Sequence, residues 1–135
     1  MKEIEDDMTA FVRYRIEKAE EAFVAAKILY DSCQWNAAVN RLYYACFYVA
    51  SAVLLDRHVG AKSHAGVLGM FSEKIVRTGE MCLDDFRVYS KLLGWRTKGD
   101  YSDMFDYTKE DLDMVMLPTR RFLDAAEQLV STIRS

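Results

Sequence analysis

The sequence predicts an all-α protein, an up-and-down bundle of about five helices. Apolar residues recur at spacings of three and four along most of the chain, as on the buried faces of amphipathic helices. One proline and six glycines in 135 residues leave few of the turn signals that an all-β chain needs. Hydrophobic residues make up 51% of the chain, which favours a folded core, and we expect a single domain over residues 1–135.

The first two helices are predicted from about Thr9 to Ser32 and from Trp35 to about Arg57. The stripe of the first helix is Ile16, Ala19, Phe23, Ala26 and Tyr30. In the second, residues 42–55 are apolar or aromatic almost all round, yet this run is shorter than the about 20 residues that span a bilayer. A helix of this kind needs cover on every side. We therefore expect one of its faces to pack in the bundle and the other to meet a second copy, giving a homodimer.

The third helix is predicted to begin after Ser63, a good N-cap, and to end at Thr78 and Gly79. Its apolar positions are Val67, Leu68, Phe71 and Ile75. The fourth is predicted from about Asp84 to Lys98, followed by a loop over residues 101–107.

The last helix is predicted to begin after Thr108, with Asp111 at the capping-box position. Its stripe is Leu112, Val115, Thr119, Phe122, Ala126, Leu129 and Ile133. Pro118 lies inside this pattern, and a proline there predicts a kink or a break into two pieces.

Arg96 is the most informative residue, because it occupies the apolar face that Phe86, Tyr89 and Leu93 define on the fourth helix. An unpaired charge is costly in an apolar interior, so this guanidinium must meet an anion or line a wet cleft. Its planar set of donors suits phosphate. A buried ion pair between Arg96 and Asp100 is the structural alternative.

Two asparagines, Asn36 and Asn40, lie one turn apart on the apolar second helix. Each amide either ties a neighbouring backbone or orients Arg96 or a phosphate, and the spacing leaves both roles open. Lys98 adds a second cation near Arg96.

Composition excludes several other classes of function. A net charge of −3 argues against broad coating of nucleic acid, so any contact with RNA must be local. Three scattered cysteines and two histidines predict no disulfide framework and no metal site, and we expect no cofactor. The acidic N-terminal segment does not resemble a signal peptide, and we expect a cytoplasmic protein without a membrane span.

Three blocks of residues carry a family resemblance. They are residues 35–47, with the sequence WNAAVNRLYYACF; residues 62–64, with the sequence KSH; and Arg96 followed by residues 99–103, with the sequence GDYSD. In this order they resemble a HEPN-domain protein of the small prokaryotic branch that is often encoded beside a minimal nucleotidyltransferase. The resemblance covers roughly residues 14 to 130 of the chain.

The resemblance implies a dimeric helical bundle with polar clefts, and a toxin or defence protein restrained by the nucleotidyltransferase. Many members are metal-independent endoribonucleases whose motif is an arginine and, four to six residues later, a histidine, assisted by an earlier polar residue. Arg96 matches the arginine and Asn40 the helper. Asp100 and Tyr101 complete the catalytic candidates, although Tyr101 occupies the place of the histidine.

The missing histidine matters because RNA cleavage requires proton transfer from the 2′-hydroxyl and to the leaving 5′-oxygen. A tyrosine with a pKa near 10 is a poor base at neutral pH. His64 either has a structural role or faces the cleft and substitutes as the base. The resemblance also implies that the partner enzyme can attach AMP to a tyrosine beside the motif, and Tyr101 is the candidate. The alternative is a tyrosine whose ring packs on the bundle and whose hydroxyl bonds Asp100 or Arg96.

Three functions therefore remain open: an RNA-binding member of a toxin–antitoxin or defence pair, with or without cleavage; a non-catalytic nucleotide-binding partner of a nucleotidyltransferase; and a dimeric helical adaptor.

Overall fold

A computed structural model describes the backbone of residues 2–101 and 106–131, and the side chains of residues 7–97 and 106–131. Its elements are α1 (Lys2–Asp31), α2 (Trp35–Asp56), α3 (His64–Phe71), a π-helical turn (Ser72–Val76), α4 (Leu83–Tyr101) and α5 (Lys109–Gln128). The described residues contain no β-strand, which confirms the predicted all-α fold.

Two predicted boundaries were wrong. The first helix begins at Lys2 instead of Thr9, and no proline or glycine precedes Thr9 to stop it. Acidic residues near the start of the helix also interact favourably with its dipole. The fourth helix continues through Gly99 to Tyr101, so Tyr101 belongs to α4 by its backbone and does not begin a loop. A single glycine costs a helix only about 1 kcal/mol, which the flanking turns can offset.

The central element of the bundle is α2, which packs against α1, α3, α4 and α5. Its inner side chains are fully buried: Ala38, Leu42, Tyr43, Ala45, Cys46, Val49, Ala50, Ala52 and Val53. By length and composition α2 could cross a membrane, but 61% of its most apolar window is buried inside the bundle, as in the core helix of a soluble protein.

One stripe of α2 is only partly covered by the other helices, and it comprises Asn40, Tyr44, Tyr48, Ser51 and Leu55. The bundle itself therefore covers most of the apolar surface from which a second copy was predicted. Homodimer formation stays a prediction.

Both predicted helix caps are present. Ser63 Oγ accepts a hydrogen bond of 2.8 Å from Gly66 N, which fixes the start of α3 at His64. A Cβ at position 66 would lie 2.9 Å from that oxygen, so glycine leaves room for the Ser63 side chain in this position. Thr108 Oγ1 accepts from Asp111 N at 3.2 Å, and the Asp111 carboxylate accepts from Thr108 N at 3.0 Å.

The predicted break at Pro118 is wrong, because α5 is continuous from Lys109 to Gln128. The buried stripe on both sides of the proline, which includes Val115, Thr119 and Phe122, holds the two halves against the same core. The kink that was the alternative to a break stays a prediction.

An ionic cluster joins α1 to α5. Arg120 donates two hydrogen bonds to the Glu20 carboxylate, at 2.8 and 2.5 Å, and its Nη2 lies 3.4 Å from Glu127. Hydrogen bonding to Arg120 lowers the pKa of Glu20 to about 2. Burial and the neighbouring Glu20 carboxyl raise the pKa of Glu127 to about 8, although Glu127 also approaches Arg120. We infer that Arg120 stabilises the ionised form of Glu20 more strongly than that of Glu127, because its contact with Glu20 is bidentate.

This cluster predicts a pH dependence of stability. The contribution of the protonated Glu127 is fully present below its unfolded-state pKa of about 4.5 and is lost as the pH rises through about 8. Glutamine does not ionise, so Glu127→Gln should be more favourable at pH 8 than at pH 5. The change that it causes in the free energy of unfolding should differ between the two pH values by at least the equivalent of one pKa unit, about 1.4 kcal/mol. Urea denaturation at both pH values measures the difference. Glu17→Gln, on the exposed side of α1, is the control, and equal effects of both substitutions would contradict the assignment.

Candidate functional site

Arg96 lies on α4, where Phe86, Tyr89 and Leu92 bury the same helix against the core. The Arg96 side chain is half-buried and reaches α2. Its Nη2 donates a hydrogen bond of 3.2 Å to the Tyr44 hydroxyl. Its Cζ lies 5.2 Å from the ring centroid of Tyr43 and 5.4 Å from that of Tyr44. The guanidinium therefore rests on two aromatic rings in cation–π contact.

A second guanidinium lies over the same aromatic surface. Arg41 Cζ is 4.9 Å from the ring centroid of Tyr44. The side-chain oxygen Oδ1 of Asn40 accepts hydrogen bonds from Arg41 Nε and Nη2, at 3.1 and 2.8 Å, which hold the Arg41 side chain in place. The ring of Tyr44 thus has contacts with both Arg41 and Arg96.

His64, at the first position of α3, completes the arrangement. Its Nδ1 lies 2.6 Å from the hydroxyl oxygen of Tyr43. Its ring stacks on Phe47 with a centroid separation of 4.3 Å and an interplanar angle of 19°. Tyr43 therefore joins Arg96 to His64, with its ring against the guanidinium and its hydroxyl against the imidazole. We refer to Arg41, Tyr43, Tyr44, His64 and Arg96 as the Arg96 cluster.

The electrostatics of the cluster keep His64 neutral. Burial, and then the positive charge of Arg96, lower the pKa of His64 below its ordinary value of 6.5. Burial raises the pKa of Tyr43 to about 12, so its hydroxyl keeps its proton at neutral pH. If His64 Nδ1–H donates to Tyr43, His64 Nε2 carries the lone pair and can accept a proton from a bound molecule.

The cluster is suited to an anion. Among the described residues, no hydrogen bond or ion pair joins a carboxylate to Arg41, His64 or Arg96. Two planar guanidinium groups can offer several N–H donors to phosphate oxygens, and the neutral imidazole adds a hydrogen-bond donor and an acceptor. The aromatic floor limits hydration of the guanidinium groups, which strengthens their interaction with a bound charge.

A comparison with known families decides the identity of this bundle. A model of the HEPN domain matches residues 12–129, which is most of the chain. The chain belongs to the HEPN family.

Individual relatives agree with this assignment. A UPF0332 protein of Thermotoga maritima is 32% identical over 123 residues, covering 91% of this chain and 93% of the relative. Two proteins of Methanocaldococcus jannaschii carry the name "Putative toxin". One is 33% identical over 132 residues, with 98% of this chain and 95% of the relative covered. The other is 32% identical over 113 residues, with 84% and 77% covered.

The two asparagines singled out in the sequence have different positions in this HEPN fold. Asn36 Nδ2 donates to Asp106 at 3.0 Å, and Asn36 Oδ1 accepts from Tyr107 N at 2.8 Å. Asn36 thus ties the segment before α5 to the start of α2, which is the backbone-tying role. Asn40 lies beside the Arg96 cluster, where its hydrogen bonds orient Arg41.

The remaining candidates of the HEPN motif are Lys98, Asp100 and Tyr101. Their backbone belongs to α4, but their side chains lie outside the described residues. The expected pair of Arg96 with Asp100 lies outside them for the same reason.

Sequence reasoning missed the roles of Arg41, Tyr43 and Tyr44, which were read only as part of the family resemblance. Arg41 carried a signal, because it is a cation in the middle of an otherwise apolar helix. The same argument that singled out Arg96 applies to it. The position of His64 carried no such signal, because only the packing of α3 on α2 brings it to Tyr43.

Metal binding finds no support in the part of the chain that the structure describes. No group of three or more histidine, cysteine, aspartate or glutamate side chains in that part could hold a metal ion. Cys46 is buried in α2, while Cys33, between α1 and α2, and Cys82, directly before α4, are exposed.

Proposed function

We propose that this HEPN protein is the toxin member of a toxin–antitoxin or related defence pair, and that it binds RNA by a phosphate group at the Arg96 cluster. The observation that carries the proposal is a guanidinium, Arg96, held on aromatic rings beside the neutral imidazole of His64, with no carboxylate bound to it among the described residues. The names of the two M. jannaschii relatives support the toxin assignment.

The chemistry of the cluster favours binding over rapid cleavage. Arg96 and Arg41 can stabilise the charge that develops on a phosphodiester. His64 is the one described imidazole in the cluster, and it supplies one proton-transfer group, whereas cleavage requires two transfers. We therefore expect tight binding of RNA with slow cleavage, in which His64 replaces the histidine that the usual motif places after the arginine.

Partners complete the proposal. A nucleotidyltransferase encoded nearby would act as the antitoxin, and both proteins would be cytoplasmic. The HEPN protein would be a homodimer. Exposed apolar side chains that a second copy could cover occur on α1, at Val24 and Ile28, and on α5, at Met114 and Leu117.

A non-catalytic nucleotide-binding partner is the second candidate function. The absence of any histidine beyond Arg96 favours it, because a guanidinium site without a full set of proton-transfer groups still binds the phosphates of a nucleotide. In this case the cluster would hold a nucleotide, and no RNA would be degraded when the protein is expressed.

The first functional prediction concerns Arg96 and His64. Arg96→Ala should weaken binding of single-stranded RNA by about 10- to 100-fold, because a charge-assisted contact is lost. It should also relieve growth arrest on inducible expression. His64→Gln should retain most of the binding and abolish any cleavage seen in total RNA. Arg87→Ala and His58→Gln are matched controls, since Arg87 is on the exposed face of α4 and His58 is exposed after α2.

The results separate the candidates. Growth arrest and RNA binding that survive Arg96→Ala would contradict the proposal. Binding of a mononucleotide but not of RNA, with no effect on growth, would support the second candidate.

The second functional prediction concerns modification of Tyr101. We propose that the nucleotidyltransferase transfers AMP from ATP to the hydroxyl oxygen of this tyrosine, with pyrophosphate as the leaving group. Tyr101 is five residues after Arg96 on the same helix. The added phosphodiester would compete with RNA for the guanidinium, so modification should abolish RNA binding. Intact-mass spectrometry after co-expression should show a mass increase of one AMP that is absent in Tyr101→Phe. An increase that persists in Tyr101→Phe would contradict the assignment, and Tyr107→Phe is the control.

A further inference from the structure

A groove adjoins the Arg96 cluster on the opposite side of His64. One wall is the exposed side of α1, with Phe11, Tyr14, Arg15 and Lys18. The floor is formed by Phe47, Tyr48 and Ser51 of α2. The other wall is residues 61–64 at the start of α3. Its volume is about 470 Å³, which is within the range of small-ligand sites.

The groove is cationic, although the whole chain has a net charge of −3. Arg15, Lys18 and Lys62 line it, and among the residues whose side chains the structure describes no aspartate or glutamate does. Lys18 lies 3.4 Å from Glu21, so part of its charge is compensated outside the groove. Arg15 donates a hydrogen bond of 3.3 Å to the carbonyl oxygen of Ser51, which fixes its position over the floor. The charge of the groove is therefore complementary to an anionic occupant.

Aromatic rings line the groove together with these cations. Phe11 and Tyr14 on α1 are 59% and 54% exposed, and Lys18 Nζ lies 5.3 Å from the ring centroid of Tyr14. Phe47 and Tyr48 contribute to the floor from α2. Cations beside exposed rings are the combination by which proteins hold single-stranded nucleic acid, with bases stacked on rings and phosphates paired with cations.

The groove is continuous with the Arg96 cluster. His64 lines the groove and also contacts Tyr43, while Phe47 lines the groove and stacks on His64. A strand whose phosphate lies at Arg96 could therefore pass His64 and continue along α1.

We propose that this groove is a binding subsite for single-stranded RNA. Bases next to the phosphate at Arg96 stack on Tyr14 and Phe11, and their own phosphates pair with Lys62 and Arg15. The subsite rests on the proposed function of the Arg96 cluster. A second copy of the chain is a poorer occupant, because a two-fold contact would place the cations of one groove against those of the other.

The test compares a short and a long RNA. Fluorescence anisotropy is measured with fluorescein-labelled diuridylate and octauridylate, both with 2′-O-methyl riboses so that neither is cleaved. Octauridylate should bind more tightly than diuridylate. Tyr14→Ala should weaken binding of octauridylate by about 5- to 100-fold, and that of diuridylate much less. Lys62→Gln should reduce the slope of the logarithm of the binding constant against the logarithm of the salt concentration, by the equivalent of about one phosphate contact.

A matched control exists on the same helix. Lys27→Gln removes the charge of an exposed lysine of α1 away from the groove, and it should leave both affinities unchanged. Circular dichroism melts verify that each variant is folded.

Each outcome is decisive. Equal affinity for the two RNAs, or unchanged binding of octauridylate by Tyr14→Ala, would overturn the proposal that the groove is an RNA subsite. Neither result would contradict binding of RNA at Arg96. Loss of a dimer in Tyr14→Ala by light scattering, with unchanged RNA affinity, would instead assign the groove to a second copy and overturn the subsite. Failure of the wild-type protein to bind either RNA would overturn both the subsite and the proposed function.

Discussion

The contact between the Arg96 guanidinium and the rings of Tyr43 and Tyr44 is the interaction on which the site depends. It allows a permanent charge to occupy the apolar side of α4, because the rings offer a favourable electrostatic surface without neutralising the charge. A carboxylate at the same place would have stabilised the arginine and removed its capacity to bind another anion. Lysine would be a poor replacement, since it lacks the planar, weakly hydrated group that lies flat on a ring.

Tyr43 links this contact to the rest of the bundle. Its side chain is fully buried, and its position follows from the packing of α2 against α3 and α4. Because its ring contacts Arg96 and its hydroxyl contacts His64, the tertiary packing of α2 sets the relative position of a cation and a titratable group. Burial of His64 and the positive charge of Arg96 lower the pKa of His64, so the imidazole is neutral at neutral pH. Tyr43 therefore contributes both to the packing of the core and to the geometry of the site.

The sequence predicted the fold better than the site, for a physical reason. Helical periodicity is local, and capping uses neighbours such as Thr108 and Asp111, so the all-α bundle and its caps were predictable. Arg96 was predictable because a cation on an apolar face conflicts with its local pattern. The position of His64 was not, because it depends on how α3 crosses α2 over a separation of 21 residues. Local rules also failed at Pro118, where the buried stripe of α5 outweighs the lost hydrogen bond.

The most direct test of this account is the titration of His64 by NMR, in the wild-type protein and in Arg96→Ala. With ¹⁵N-labelled histidine, the two imidazoles can be followed separately, and His58 serves as the internal reference. We expect His64 to titrate below 6.5 in the wild-type protein, and removal of the Arg96 charge to raise its pKa part of the way back. An unchanged pKa of His64 in Arg96→Ala would show that the two side chains do not share a site, and would contradict the central claim.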